Sequence, residues 1–155
     1  MAAARAWHPW LLAGGGLLAH ALAVQLIPWP WLVPNLTLAG LVAGVAEVPA
    51  AWLAVSGLAG ALSMVWAGAG GAAIALSYLA AGALVRLAAA HWDTGDARVQ
   101  TALTGLTACL VTGAWLAGGP PRPWPVLAWA VVHIGLTTAA GWMVAGGWRS
   151  SLRDA

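Results

Sequence analysis

The sequence predicts an all-α polytopic membrane protein, a compact bundle of about six short transmembrane helices with both termini cytoplasmic. Three observations carry this expectation. Of 155 residues, 62% are hydrophobic and only 6% charged, a balance that would cover a soluble domain in apolar patches. Apolar stretches recur along the whole chain and are broken by short proline- and glycine-rich connections. The arginines gather on one side when those stretches are threaded back and forth across a bilayer.

A spanning helix needs roughly 20 mostly apolar residues, so about six spans fit only if nearly every residue lies within the membrane. The chain is therefore expected to be a single integral membrane domain. Twelve Trp with one Tyr and no Phe suit such a chain, because indole favours the headgroup level, where one edge of the ring stays wet.

The first span is expected over residues 8–27. Residues 1–23 also have the outline of a signal peptide, with Arg5 ahead of an apolar run, but the segment is expected to be retained. Pro28-Trp29-Pro30-Trp31 stops the span, since proline removes backbone donors and biases its neighbour toward extended conformations. A short second span, 32–46, carries Pro34 and Asn35 in its first turn, where missing or spare hydrogen-bonding groups are tolerated. Glu47 and Pro49 mark the next turn. Span three covers 50–67, and Gly68-Ala69-Gly70-Gly71 permits a tight reversal into span four, 72–90. Residues 91–98 form a clearly polar loop. Span five covers 99–117, a proline-rich break follows, and span six covers 126–148.

With six spans the termini share a side. Arg5, Arg86, Arg98, Arg149 and Arg153 then fall together, and Arg122 falls opposite. Positive residues in short loops stay in the cytoplasm, so both ends are expected there, with the Trp29 and Trp124 turns facing outward.

Composition also excludes functions. Six Arg against four acids are too dispersed to form a nucleic-acid track. Cys109 is the only cysteine, so no intramolecular disulfide is possible. No Asp, Lys or Arg falls in the middle of a span, which argues against a proton relay or ion pump. Glu47 and Arg86 lie close enough to span ends to reach water. No hydrolase or transferase constellation is present, and the chain is read as non-catalytic.

Helices in lipid associate largely through close approach at small residues and interhelical hydrogen bonds. Thr101, Gly105, Cys109, Gly113 and Ala117 recur every four residues in span five, along one helical stripe. His133, Thr137, Gly141 and Ala145 do so in span six. Gly57 with Ala61, and Ser56 with Gly60, give span three a similar face. Packing within the chain is the simplest use of these faces; binding a partner helix is the functional alternative.

His20 and His133 lie about 10–14 Å from the outer ends of their spans by helical rise. Two imidazoles at one depth could ligate a haem iron, as in an accessory subunit of a respiratory or photosynthetic complex. Hydrogen bonding to a neighbouring carbonyl or hydroxyl is the plainer alternative.

The chain also resembles the bacterial rod shape-determining protein MreD. The resemblance covers most of the chain. It rests on Val24-Gln25-Leu26-Ile27 ending the first span, on Val33-Pro34-Asn35-Leu36 before a leucine-rich helix, and on Gly57-Leu58-Ala59-Gly60-Ala61-Leu62. A glycine turn and a helix with Tyr78 that ends at Arg86 follow. Met64 stands where members often carry an acid, and Lys is absent. The resemblance implies a non-catalytic subunit of the cell-elongation machinery for peptidoglycan synthesis, one that binds a single-span partner, MreC. Pro34, Asn35, Gly57, Gly60, Ala61, Gly105, Cys109 and Gly113 are the candidate partner-binding residues. Similar size and span count also suggest the substrate-binding subunits of vitamin transporters, whose aromatic-walled outer pocket could here use Trp29, Trp31, Arg122 and Trp124 to hold a small anionic ring.

Overall fold

A computed structural model describes residues 2–67, 71–118 and 123–153, with side chains described over 9–29, 31–64, 71–118 and 123–146. The side chains of Arg5, His8, Arg122, Arg149 and Arg153 lie outside this set, as does the turn at Gly68, Ala69 and Gly70. Among the described residues the regular structure is all helical: α1 (Ala2–Leu26), α2 (Leu36–Glu47), α3 (Trp52–Ala67), α4 (Gly71–Ala88), α5 (Ala97–Ala117) and α6 (Trp124–Arg153). Short 3-10 turns at Pro30–Leu32 and Pro49–Ala51 flank α2.

Four segments are long and apolar enough to cross a membrane: Pro9–Leu26, Gly71–Ala88, Ala97–Ala117 and Trp124–Gly146. This is a helical protein of the membrane type. α2 has 12 residues and rises about 18 Å, short of the roughly 30 Å hydrocarbon thickness. Its start differs from the expected one at residue 32. Pro30 and Pro34 keep the chain out of a continuous helix, and the side chain of Asn35 caps the N-terminus by accepting from Leu38 N at 3.0 Å.

α2 is the centre of the bundle. All ten residues from Thr37 to Ala46 are buried, as expected of a helix apolar on every face. Leu38, Leu41, Val42 and Val45 form the core with Val55, Tyr78, Ala81, Val85 and Leu103. Consecutive helices pair as α1 with α2, α3 with α4, and α5 with α6, while α2 also packs on α4, α5 and α6. The outside is greasy. Leu11, Leu18, Leu22 and Leu26 on α1, Leu76 and Leu87 on α4, and Val131, Trp142 and Met143 on α6 are exposed, which suits lipid as the surrounding solvent.

Glycine sets the α1–α2 distance. A Cβ at Gly40 would run into the carbonyl of Leu12, one at Gly16 into the carbonyl of Leu36, and one at Gly44 into Pro9. Gly40 and Gly44 form a G-x-x-x-G pair, the spacing that lets two backbones touch.

The two ends of the bundle are built differently. At one end Trp31 meets Trp115, edge to face, with ring centroids 4.9 Å apart. At the other, the α4–α5 connection folds over the C-terminus of α2. Thr94 Oγ1 donates to Ala46 O at 3.1 Å, and Gln100 Nε2 donates to Thr94 O at 2.7 Å. Asp96 caps α5 by accepting from Arg98 N at 2.7 Å. Arg86 lies in the last turn of α4, where a cation opposes the partial negative charge of the helix end.

Candidate functional site: a polar-lined pocket beside Asn35

Asn35 is the polar hub of the bundle. Its Nδ2 donates to the Tyr78 hydroxyl at 2.8 Å, that hydroxyl donates to Asn35 Oδ1 at 3.1 Å, and Asn35 N donates to Thr137 Oγ1 at 2.9 Å. One short side chain and its amide thus join α2, α4 and α6. Ser63 of α3 lies within hydrogen-bond reach of Tyr78.

Beside this hub is a partly open pocket of about 440 Å³. Leu17, His20, Ala21 and Val24 of α1 form one wall, and Val111, Thr112 and Trp115 of α5 form another. Trp31, Asn35, Thr37, Ser63, Ile74, Tyr78 and His133 complete the lining. Every helix contributes, and the lining residues cluster toward the Trp31–Trp115 end rather than the end covered by Thr94.

His20 and His133 come together in this pocket, close enough to interact electrostatically. His20 Nδ1 lies 3.0 Å from Pro34 O. A carbonyl can only accept, so Nδ1 carries the proton and Nε2 of the neutral ring is an acceptor. His133 faces the carbonyls of Trp31 and Val33, yet its buried Nδ1 makes no hydrogen bond. The two residues line one pocket, and the described lining contains no Arg or Lys to meet haem propionates.

Thr37 is the second unusual group. Thr101, Thr104 and Thr107 of α5 and Thr138 of α6 satisfy their hydroxyls by donating one turn back, as Thr104 does to Gln100 O at 2.8 Å and Thr138 to Ile134 O at 2.8 Å. Thr37 Oγ1 is buried without a partner although its residue is 1% exposed.

The candidate partner-binding residues divide into two sets. Asn35 and Gly60 are buried, and a Cβ at Gly60 would press on Ala75 of α4. Gly105 abuts Thr138 of α6, and Pro34 is half-buried and engages His20 through its carbonyl. Gly57 is half-buried beside Leu79. Ala61, Cys109 and Gly113 are exposed, and a Cβ at Gly113 would meet nothing. The α5 stripe therefore turns from the interior to the outside along its length. Sequence reasoning missed Thr37, Tyr78 as the partner of Asn35, and the Gly40–Gly44 pair. Only the last had a local signal, its spacing of four.

The fold and pocket define a helical membrane protein with an internal polar hub. Compared with protein families, with curated proteins and with solved structures, the chain matches none of them.

Proposed function

We propose that the chain is a non-catalytic, multi-pass subunit of the bacterial cytoplasmic membrane, resembling MreD, that binds a single-span MreC-like protein in the cell-elongation machinery. In this reading the chain crosses six times and both termini are cytoplasmic. The observation that supports it most is the Asn35–Tyr78 pair. The Val33-Pro34-Asn35-Leu36 element and the Tyr78 helix both carry the resemblance, and they meet through direct hydrogen bonds. Six crossings are supported by the position of α2, which runs from the Trp31 end of the bundle to the Thr94 end. Its flanking 3-10 turns make up part of the length that 12 helical residues lack.

The surface available to a partner helix lies on α5. Cys109 and Gly113 are exposed beside Leu106 and Leu110, and the absence of any neighbour at Gly113 leaves room for another backbone to approach. Affinity purification in mild detergent tests the proposal. A single-span membrane protein is expected to co-purify, and Gly113→Leu is expected to weaken its retention. A chain that isolates alone from its native membrane would end this reading.

A second reading, the small-molecule-binding subunit of a transporter, is favoured by the pocket. Native mass spectrometry of the purified chain would then show a retained small molecule.

A further inference from the structure

We propose that residues 17–26 of α1 are a hinged gate, through which an uncharged, lipid-soluble molecule passes sideways from the bilayer into the pocket beside Asn35. The argument begins with an imbalance along α1. Its first half is locked to α2, where Pro9 lies against Gly44, Leu12 against Gly40 and Gly16 against Leu36, with no room for a Cβ at any of these glycines. Because α2 begins only at Leu36, α1 runs on beyond its partner from Leu17.

That outer half is a wall of the pocket. Leu17, Ala21 and Val24 line it from α1, and Val111 and Thr112 line it from α5. The two walls are not packed on one another: among the described residues α1 packs on α2 and more lightly on α3, whereas α5 packs on α6, α4 and α2. Leu18, Leu22 and Leu26 of the same α1 segment are exposed, so in a membrane lipid lies directly against it.

Gly14 and Gly15 supply the hinge. They are consecutive, exposed and inside the helix, and a Cβ at either would meet nothing within 4 Å. Packing therefore does not require them, yet each weakens the helix relative to alanine, and glycine is a recurrent site of helix bending. They stand in the last turn before the pocket wall. Gly16 sits at the pivot, where its contact with Leu36 changes least. A hydrogen bond of 3.0 Å between His20 Nδ1 and Pro34 O ties the wall to the loop ahead of α2 and acts as a latch. A swing of about 30° at Gly15 moves Leu22, roughly 10 Å further along by helical rise, by about 5 Å. This opens the α1–α5 side of the pocket to lipid.

The lining sets the class of molecule admitted. None of its described residues is Asp, Glu, Lys or Arg, so an ion would be buried without a counter-charge. The aliphatic side chains on both walls suit an apolar body, and about 440 Å³ falls within the roughly 300–1,000 Å³ of pockets that hold small organic molecules. A molecule already dissolved in hydrocarbon needs no aqueous entrance.

The inference rests on the small-molecule reading of the pocket, and the two fail separately: hinge motion is read as a distance, retention of a native molecule by mass spectrometry. Pulsed electron-spin distances in the full-length chain in nanodiscs, with Cys109→Ser and spin labels on Leu22→Cys and Leu106→Cys, are expected to show two populations about 5 Å apart. Labels on Leu11→Cys and Leu106→Cys, with Leu11 on the locked half, are expected to show one. Gly14→Ala with Gly15→Ala, which adds methyls in open space, is expected to lower the open population about fivefold. His20→Leu removes the latch and is expected to raise it about fivefold, the weight of one hydrogen bond. Flash photolysis with 3-trifluoromethyl-3-phenyldiazirine, uncharged and lipid-soluble, is expected to mark the buried Val111 or Thr112, and less so in the alanine variant. One unchanging distance in all variants, or movement of Leu11 as large as that of Leu22, would overturn the hinge. Unmarked Val111 and Thr112, or modification of Thr112→Cys by a membrane-impermeant maleimide, would overturn entry from lipid.

Discussion

Asn35 shows how much one residue can determine in a bundle surrounded by lipid. In hydrocarbon a bare amide has no water to turn to, so its side chain must be satisfied within the protein. Oδ1 caps α2 at Leu38 N, and Nδ2 reaches Tyr78. Replacing Asn35 with Ala removes the cap and leaves the Tyr78 hydroxyl without this partner; a loss of about 1–3 kcal/mol is expected, read by denaturant titration in detergent micelles. Tyr78→Phe should cost less, and the two changes should be non-additive, with a coupling of about 0.6–1.7 kcal/mol in a double-mutant cycle. Strict additivity would mean that the pair does not form. The sequence already marked Pro34-Asn35 as a place with spare hydrogen-bonding capacity. It could not name Tyr78 and Thr137 as partners, because residues 43 and 102 positions away leave no local periodicity to read.

At the scale of the element, helix–helix distance follows from which glycines have neighbours. Gly40→Ala places a methyl against the Leu12 carbonyl, so α1 must shift off α2. A destabilisation of about 1–3 kcal/mol is expected, seen as a lower unfolding temperature. Gly113→Ala meets open space and should be neutral or stabilising by up to about 1 kcal/mol, since Ala is the better helix former. Equal effects at both positions would contradict the assigned packing. The apolar runs and their proline breaks made all six helices legible, yet their ends were displaced wherever a cap decided the boundary. α2 begins after Asn35, not at Leu32, because the cap and two prolines outweigh the apolar run. The stripe Thr101, Gly105, Cys109, Gly113 and Ala117 was legible as a stripe. Its division between an inner and an outer part was not, because it depends on where α6 crosses.

The described residues form three helical hairpins, with the short α2 of the first at the centre, a pocket toward one end and a folded polar connection at the other. The matched depth of His20 and His133 could be read from helical rise, and the two residues do line one pocket. The unpartnered hydroxyl of Thr37 was illegible, since nothing in the local sequence marks a threonine whose hydroxyl will lack a partner. The proposed function depends on which end faces out. If the chain crosses six times, residue 29 and residue 93 lie on opposite sides of the membrane, and the pocket lies nearer the outer face. With Cys109, the only native cysteine, changed to Ser, single cysteines at the exposed positions Trp29 and Asp93 can be labelled in intact cells with a membrane-impermeant maleimide. Trp29→Cys is expected to label in intact cells and Asp93→Cys only after lysis; labelling of Asp93→Cys from outside, or of both on the same side, would contradict the six-crossing arrangement.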